Sequence, residues 1–311
     1  MANRWTYPPK IIVAAAAILL IAGVPTGCQS GGGSQPASGS SSQSSGQTPP
    51  PGPSASASPT SRQSALPFGN LKDPVGVAVD TAGAVYVADA SNNRVLKLPA
   101  EATTPIELPF TGLDYPGGVA VDRAGSVYVA GGRGNRVWKL PAGASAPIEL
   151  PFTSIKDPSE IAVDMAGTVY VTDWGNKRIV KLAAGATSPT ELPFGDLNNP
   201  GGLAVDTAGT VYLTDYYPPR VMKLAAGATA PVEVPFTGIR GVCGVGVDSA
   251  ANVYATDCDN NRVLKLPAGA TTQVVLPFTG LHYPVGLALD SAGDVYVADK
   301  DNNRVLKLST G

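Results

Sequence analysis

Apolar residues along most of this chain come in short runs separated by turn residues, and no useful stretch repeats at the 3.6-residue spacing of an amphipathic helix. The first four runs are Val75–Asp80, Val85–Asp89, Arg94–Leu98 and Ile106–Phe110. Each is rich in Val, Ile, Leu or Tyr, and this predicts four strands. Between the first two, Gly83 supplies the positive φ of a tight hairpin, and Asp80 is placed to cap that turn through backbone N–H groups. The whole pattern then recurs. Phenylalanine stands at 68, 110, 152, 194, 236 and 278, and tyrosine at 86, 128, 170, 212, 254 and 296, always 42 residues apart with no insertion.

Four antiparallel strands per unit of about 40 residues describe a propeller blade rather than a helical solenoid. The chain enters the repeats through Leu66-Pro67-Phe68, which matches the fourth run of the other units, and leaves through Arg304–Leu308, which matches the third. The sixth unit therefore lacks an outer strand, and the N-terminal Leu66–Phe68 is predicted to supply it. Pairing the two ends removes the open edges that invite aggregation. The expectation is an all-β, six-bladed β-propeller of four-stranded antiparallel blades over residues 65–311.

Composition separates that region from what precedes it. Residues 1–27 read as a signal peptide: Arg4 and Lys10 precede an apolar run, Ile11 to Val24, that is short for a membrane span of about 20 residues. Val24-Pro25-Thr26-Gly27-Cys28 resembles a bacterial lipobox, with Pro25 departing from the pattern, and makes Cys28 the candidate lipidation site. Residues 28–64 are otherwise Ser, Gly, Pro, Gln, Ala and Thr with one charge, Arg62, too polar to offset ordering entropy. They are expected to form a disordered tether reaching about 30–35 Å. All 24 acidic residues lie beyond residue 65, whereas three of the 22 basic ones (Arg4, Lys10, Arg62) precede it, so the repeat region is net acidic. That balance argues against a nucleic-acid partner, since phosphate binding needs a basic surface. With Cys28 set aside, Cys243 and Cys258 form an even pair in an exported protein. If Asp248 faces Val253 across the hairpin of the fifth unit, Cys243 faces Cys258, close enough for a disulfide.

The stretches Asp73-Pro74-Val75-Gly76-Val77-Ala78-Val79-Asp80, Val85-Tyr86-Val87-Ala88-Asp89 and Asn92-Asn93-Arg94-Val95 resemble the NHL repeat family, and the likeness extends over residues 66–308. Within that family the chain resembles the extracellular sensor domain of a mycobacterial receptor serine/threonine kinase. The resemblance implies an extracytoplasmic, ligand-receiving surface, without kinase activity, because no kinase motif is present.

Residues shared by every unit are expected to build blades. Asp89 with Arg94, and their counterparts, are placed to hold the connecting loop by charge-assisted hydrogen bonds. The lysines at 97 and its equivalents are expected to lay their stems on apolar surface. Function is expected where the copies differ. The turn after the first strand barely varies, but the opposite face does: Ala90, Gly132, Trp174, Tyr216, Cys258 and Lys300 occupy one position, and Glu160 replaces a glycine. The candidate binding residues are Tyr115, Glu160, Trp174, Tyr216, Tyr217, His282 and Tyr283, because amphipathic aromatics bring large contact area with few rotatable bonds.

Six-bladed relatives of this class include zinc-dependent lyases and calcium-dependent lactonases. A zinc site of the first kind needs several histidines, and this chain has only His282. For the second, Glu160 is the lone acidic departure in the first strands, and the Asp299, Asp301, Asn302 run lacks the acidic residue of a calcium loop's twelfth position. One histidine also gives no Ser–His–Asp set. The expectation is no enzyme, no cofactor and no metal site, with a calcium-dependent, lactonase-like hydrolase as the less favoured reading. A monomeric sensor for a protein, peptide or cell-wall ligand, and an envelope scaffold that docks another protein, both remain open, each membrane-held through Cys28 and outside the cytoplasm.

Overall fold

The computed structural model describes residues 62–309, which form six four-stranded antiparallel sheets. The expected signal peptide, Cys28 and nearly all of the expected tether lie outside the described residues. Among the described residues, no helix is long and apolar enough to cross a membrane. Blade one consists of Pro74–Val79, Val85–Asp89, Arg94–Leu98 and Ile106–Glu107. The first strands of the other blades are Val119–Val121, Pro158–Val163, Pro200–Val205, Val242–Val247 and Pro284–Leu289. Each first strand contacts those of both neighbouring blades, blade six contacting blade one, so the six line a closed ring.

The closing strand is Arg62–Ala65, which pairs with Arg304–Ser309. It therefore starts ahead of the expected Leu66–Phe68 and takes three residues from the expected tether. Its phase is nonetheless that of the repeat: Ser64 lies opposite Lys307 and Ala65 opposite Leu306, as Ile106 lies opposite Lys97 and Glu107 opposite Leu96. The expected fourth strand, Ile106–Phe110, stops at Glu107 for the same reason. Beyond it the Leu-Pro-Phe motif turns inward, so that Phe68 is buried in the seam between blades six and one with Tyr296, Val305 and Val77. Gln63 adds a clip, donating to Thr279 O and accepting from Thr279 N–H at 2.7 Å.

The apolar core is divided among six such seams, one at each junction. In the seam between blades one and two, Tyr86 and Val95 of one blade meet Val119, Val127 and Val129 of the next. The tyrosine ring is buried, but its hydroxyl reaches the hairpin turn, where Asp80 Oδ2 accepts it at 2.9 Å. The other oxygen of Asp80 caps the turn through the N–H groups of Ala82 and Ala84 at 3.0 and 2.9 Å. The same Asp–Tyr pair closes all six hairpins. Lys97, Lys139, Lys265 and Lys307 lie over these rings at 5.0–5.2 Å, so the repeated lysine also makes a cation–π contact.

Candidate functional site

The face opposite the hairpins carries the loops from second to third strand and those from blade to blade. Its frame is the repeated aspartate. Asp89 is fully buried, and an isolated buried carboxylate is costly unless every lone pair is used. Here Oδ1 accepts the Lys72 N–H at 2.7 Å, while Oδ2 accepts Asn92 Nδ2 and Arg94 Nε, both at 2.8 Å. Asp173, Asp257 and Asp299 repeat the arrangement, and Asp215 does so without the asparagine amide; each is paired with its arginine at 2.6–2.8 Å. The expected aspartate–arginine bracing is thus present in five blades. Blade two has Gly131 instead, and Arg136 turns to Glu149 at 3.7 Å and to the Trp138 ring at 5.6 Å.

A second device links neighbouring blades. The side-chain oxygens of Asn93, Asn135, Asn261 and Asn303 accept the N–H groups of Tyr115, Asp157, Tyr283 and Asp73 in the next blade, at 2.7–2.9 Å. Lys177 and Pro219 occupy the same position in blades three and four and offer no such oxygen. At those two junctions the rim aromatics make the link. Trp174 Nε1 donates to Asn199 Oδ1, and Tyr216 OH donates to Asp259 Oδ2 at 2.9 Å. Two residues singled out for binding therefore also tie blades together, a role that requires knowing which blades lack the asparagine clip.

The structure brings three of the candidate aromatics to the mouth of the central channel. Tyr115 of blade two has its hydroxyl pushed up to about 12, by burial first and then by the carboxylates of Asp73 in blade one, with Asp301 of blade six adding to it. Its ring carries the Arg133 guanidinium at 4.9 Å. Tyr216 is also pushed up to about 12, by burial and then by its hydrogen bond to Asp259, while Tyr283 of blade six pulls the other way. Lys300 lies 3.3 Å from Asp73, 3.7 Å from Asp301 and 5.9 Å from the Tyr283 ring. His282 stands half-exposed beside this group, 3.7 Å from Asp301. Tyr217 is 70 % exposed and stands apart from the mouth contacts above.

Glu160 is not on the rim but inside the channel. It lines a cavity of about 50 Å3 to which each blade also gives one aliphatic side chain. Burial pushes its carboxyl up to about 8, opposed only by the Ile161 backbone N–H. Among the described residues, no three of His, Cys, Asp and Glu come together to hold a metal ion.

Cys243 and Cys258 are bonded, with Cα atoms 6.0 Å apart. The expected register does not produce this contact. Val247 faces Val253, and a bulge between Val242 and Val245 shifts the pairing again. Cys258 is instead the first residue of a short 3-10 turn, Cys258–Asn260, that folds back over the first strand.

The NHL repeat model matches residues 71–98 and 281–308. No curated protein matches the chain. Among solved structures, the chain is similar to a gluconolactonase from Xanthomonas campestris, at 16% identity and a TM-score of 0.66, over 80% of this chain and 89% of that one. It is similar also to a chain of a nidogen/laminin complex, at 21% identity and a TM-score of 0.63, over 69% and 85%. A catalytically inactive virginiamycin B lyase from Staphylococcus aureus with quinupristin aligns at 13% identity and a TM-score of 0.61, over 80% and 99%. At these identities the likeness is one of fold. The chain is a six-bladed β-propeller closed into a ring, in which the first and last blades match the NHL repeat and the four between follow the same 42-residue pattern.

Proposed function

We propose that this chain is an exported binding protein, held at the membrane through Cys28, whose loop face receives a protein or peptide partner. The observation that carries this reading is the uneven placement of departures from the repeat. The hairpin face is nearly the same in every blade, whereas aromatic and charged residues unique to single blades gather on the loop face around the channel mouth. A partner with a broad surface is favoured over a small ligand because Tyr217 and His282 project outside that mouth. The neighbour taken from a nidogen/laminin complex supports protein docking on such a scaffold, and the lyase with quinupristin supports ligand capture.

Trp174 and Tyr216 are poor probes, because removing them also breaks links between blades. Tyr217→Ala with His282→Ala leaves the frame alone. Affinity capture from envelope extract by the full chain should lose its partner in this double variant while Tm stays within about 2 °C. Equal recovery of the same partner by both proteins refutes the reading.

A further inference from the structure

Position 76 of blade one and its equivalents are glycine in five blades: Gly76, Gly118, Gly202, Gly244 and Gly286. Neighbouring first strands touch there; a Cβ on Gly76 would lie 2.6 Å from Gly117 O, and one on Gly244 2.2 Å from Val285 O. Blade three alone carries a side chain at this level, Glu160. Its Oε2 leans toward blade two, where a Cβ on Gly118 would come within 2.5 Å of it. A long acidic side chain in place of glycine, at the narrowest packing of the ring, has no use in building the blade.

The surroundings suit one kind of ligand. Val77, Val119, Ile161, Leu203, Val245 and Leu287 line the cavity with Glu160, and its volume of about 50 Å3 has room for a few waters or one small head group. No cationic side chain acts on Glu160; burial dominates its environment, and a positively charged ligand would supply the counter-charge that its carboxylate lacks. From the rim position Asp157 to Glu160 is three residues of strand, about 10 Å at ~3.3 Å per residue, so a ligand that reaches it from the rim is slim and unbranched. It would pass Tyr115, Tyr216 and Tyr283, with Asp73, Asp259 and Asp301 beside them. Of the nearby cations, Lys300 is occupied by Asp73 and Asp301, Lys72 also acts on Asp73, and Arg133 lies on the Tyr115 ring. Aromatic faces attract an ammonium group. A calcium ion needs six to eight oxygen ligands, and a single carboxylate in an aliphatic ring does not supply them.

We propose that the central channel binds a primary ammonium group on an unbranched aliphatic stem, the ammonium meeting the Glu160 carboxylate and the stem lying against the six aliphatic side chains. This site rests on the binding reading of the loop face and gives that face a chemical selectivity. Two sources share the chemistry: a lysine side chain of a partner, and a free linear polyamine.

The test is calorimetric titration of the full chain in amine-free phosphate buffer with Nα-acetyl-lysine methylamide, 1,5-diaminopentane, 1-pentanol and calcium chloride. Both amines should bind and pentanol should not. Glu160→Gln should weaken amine binding at least tenfold, and so should Glu160→Gly, which restores the residue of the other five blades and keeps the protein folded. Tighter binding of the lysine amide identifies a partner's lysine as the ligand, and tighter binding of the diamine identifies a polyamine. The inference is overturned if neither amine binds, if both bind the Glu160 variants undiminished, or if only calcium binds in a Glu160-dependent manner. Partner capture lost on Tyr217→Ala and His282→Ala while amines fail to bind removes this inference alone. Amine binding without any effect of those two changes on capture removes the rim reading instead.

Discussion

The two faces of the ring use the same tool, a buried or half-buried aspartate, to different ends. On the hairpin face, Asp206 holds its own turn and its own blade's Tyr212, all within a few residues of sequence. On the loop face, Asp173 gathers groups from two loops: Lys156 N–H at 2.7 Å from one, and Asn176 Nδ2 at 2.9 Å and Arg178 Nε at 2.7 Å from the other. The first is a local cap that any blade can carry unchanged. The second is a fixed floor, and the residues standing on it are free to differ from blade to blade. A closed ring of near-identical blades thereby keeps one face constant and one face available for recognition.

The largest effect should come from removing that floor. Asp173→Ala takes the acceptor from the Lys156 N–H and from Arg178 Nε, although Arg178 keeps Glu191 and Asn176 keeps Ser154 O, and should cost about 3 kcal/mol in chemical denaturation. Blade two shows what living without the aspartate requires. It carries Gly131 and Gly132, and a Cβ on Gly132 would lie 2.1 Å from Tyr115 O. Blade three has no such glycine after Asp173 and cannot rebuild its loop in that way. Asp206→Ala on the hairpin face should cost less, about 2 kcal/mol, and should leave partner capture unchanged. A loss of capture in this variant would break the division between the faces.

Glu160 gives a difference that depends on pH. Its carboxyl is raised from an ordinary 4.5 to about 8, so the folded chain holds this proton more tightly than the unfolded chain does. Its contribution to stability is full below 4.5 and is lost as pH rises toward 8. Glu160→Gln should therefore match the parent near pH 4.5 and exceed it at pH 8.5, by at least several °C in Tm. A gap that stays constant over this range would show that the carboxyl titrates normally.

The fold was legible because its signals are local and repeated: the Asp-x-x-Gly turns of five blades, the short runs rich in Val, Ile, Leu and Tyr, and the phase of the two ends. The closing strand was misplaced because Leu66-Pro67-Phe68 is the conspicuous part of the motif, whereas pairing falls on the polar residues just before it, which look like tether. The disulfide pair was right and its register wrong, since a bulge leaves no trace in composition. The site was only partly legible. Tyr216 of blade four reaches Tyr283 of blade six, Tyr115 lies near Asp73 and Asp301, and Glu160 stood out as a glycine replaced. Nothing in the sequence of blade three says that Trp174 reaches Asn199, because that bond depends on how the next blade is placed.

The smallest effects test why two junctions lack the asparagine clip. At the junction of blades two and three, Asn135 Oδ1 accepts the Asp157 N–H at 2.7 Å. Asn135 sits at φ 51, so glycine is the substitution that removes the amide without adding backbone strain. Asn135→Gly should cost about 1 kcal/mol. At the next junction Lys177 stands in the same place, also left-handed at φ 54. Restoring the asparagine there should gain almost nothing. The N–H it would receive, that of Asn199, already donates to Asp215 Oδ1 at 2.7 Å. Asp215 can take it because Pro218 stands where the other four blades with this aspartate have an asparagine amide that fills the second carboxylate oxygen, leaving that oxygen to Asn198 N–H and Arg220. Lys177→Asn should thus lie within about 0.5 kcal/mol of the parent. A gain near 1 kcal/mol would mean that the clip forms after all, and that Trp174 is not needed to hold this junction and is left to the partner alone.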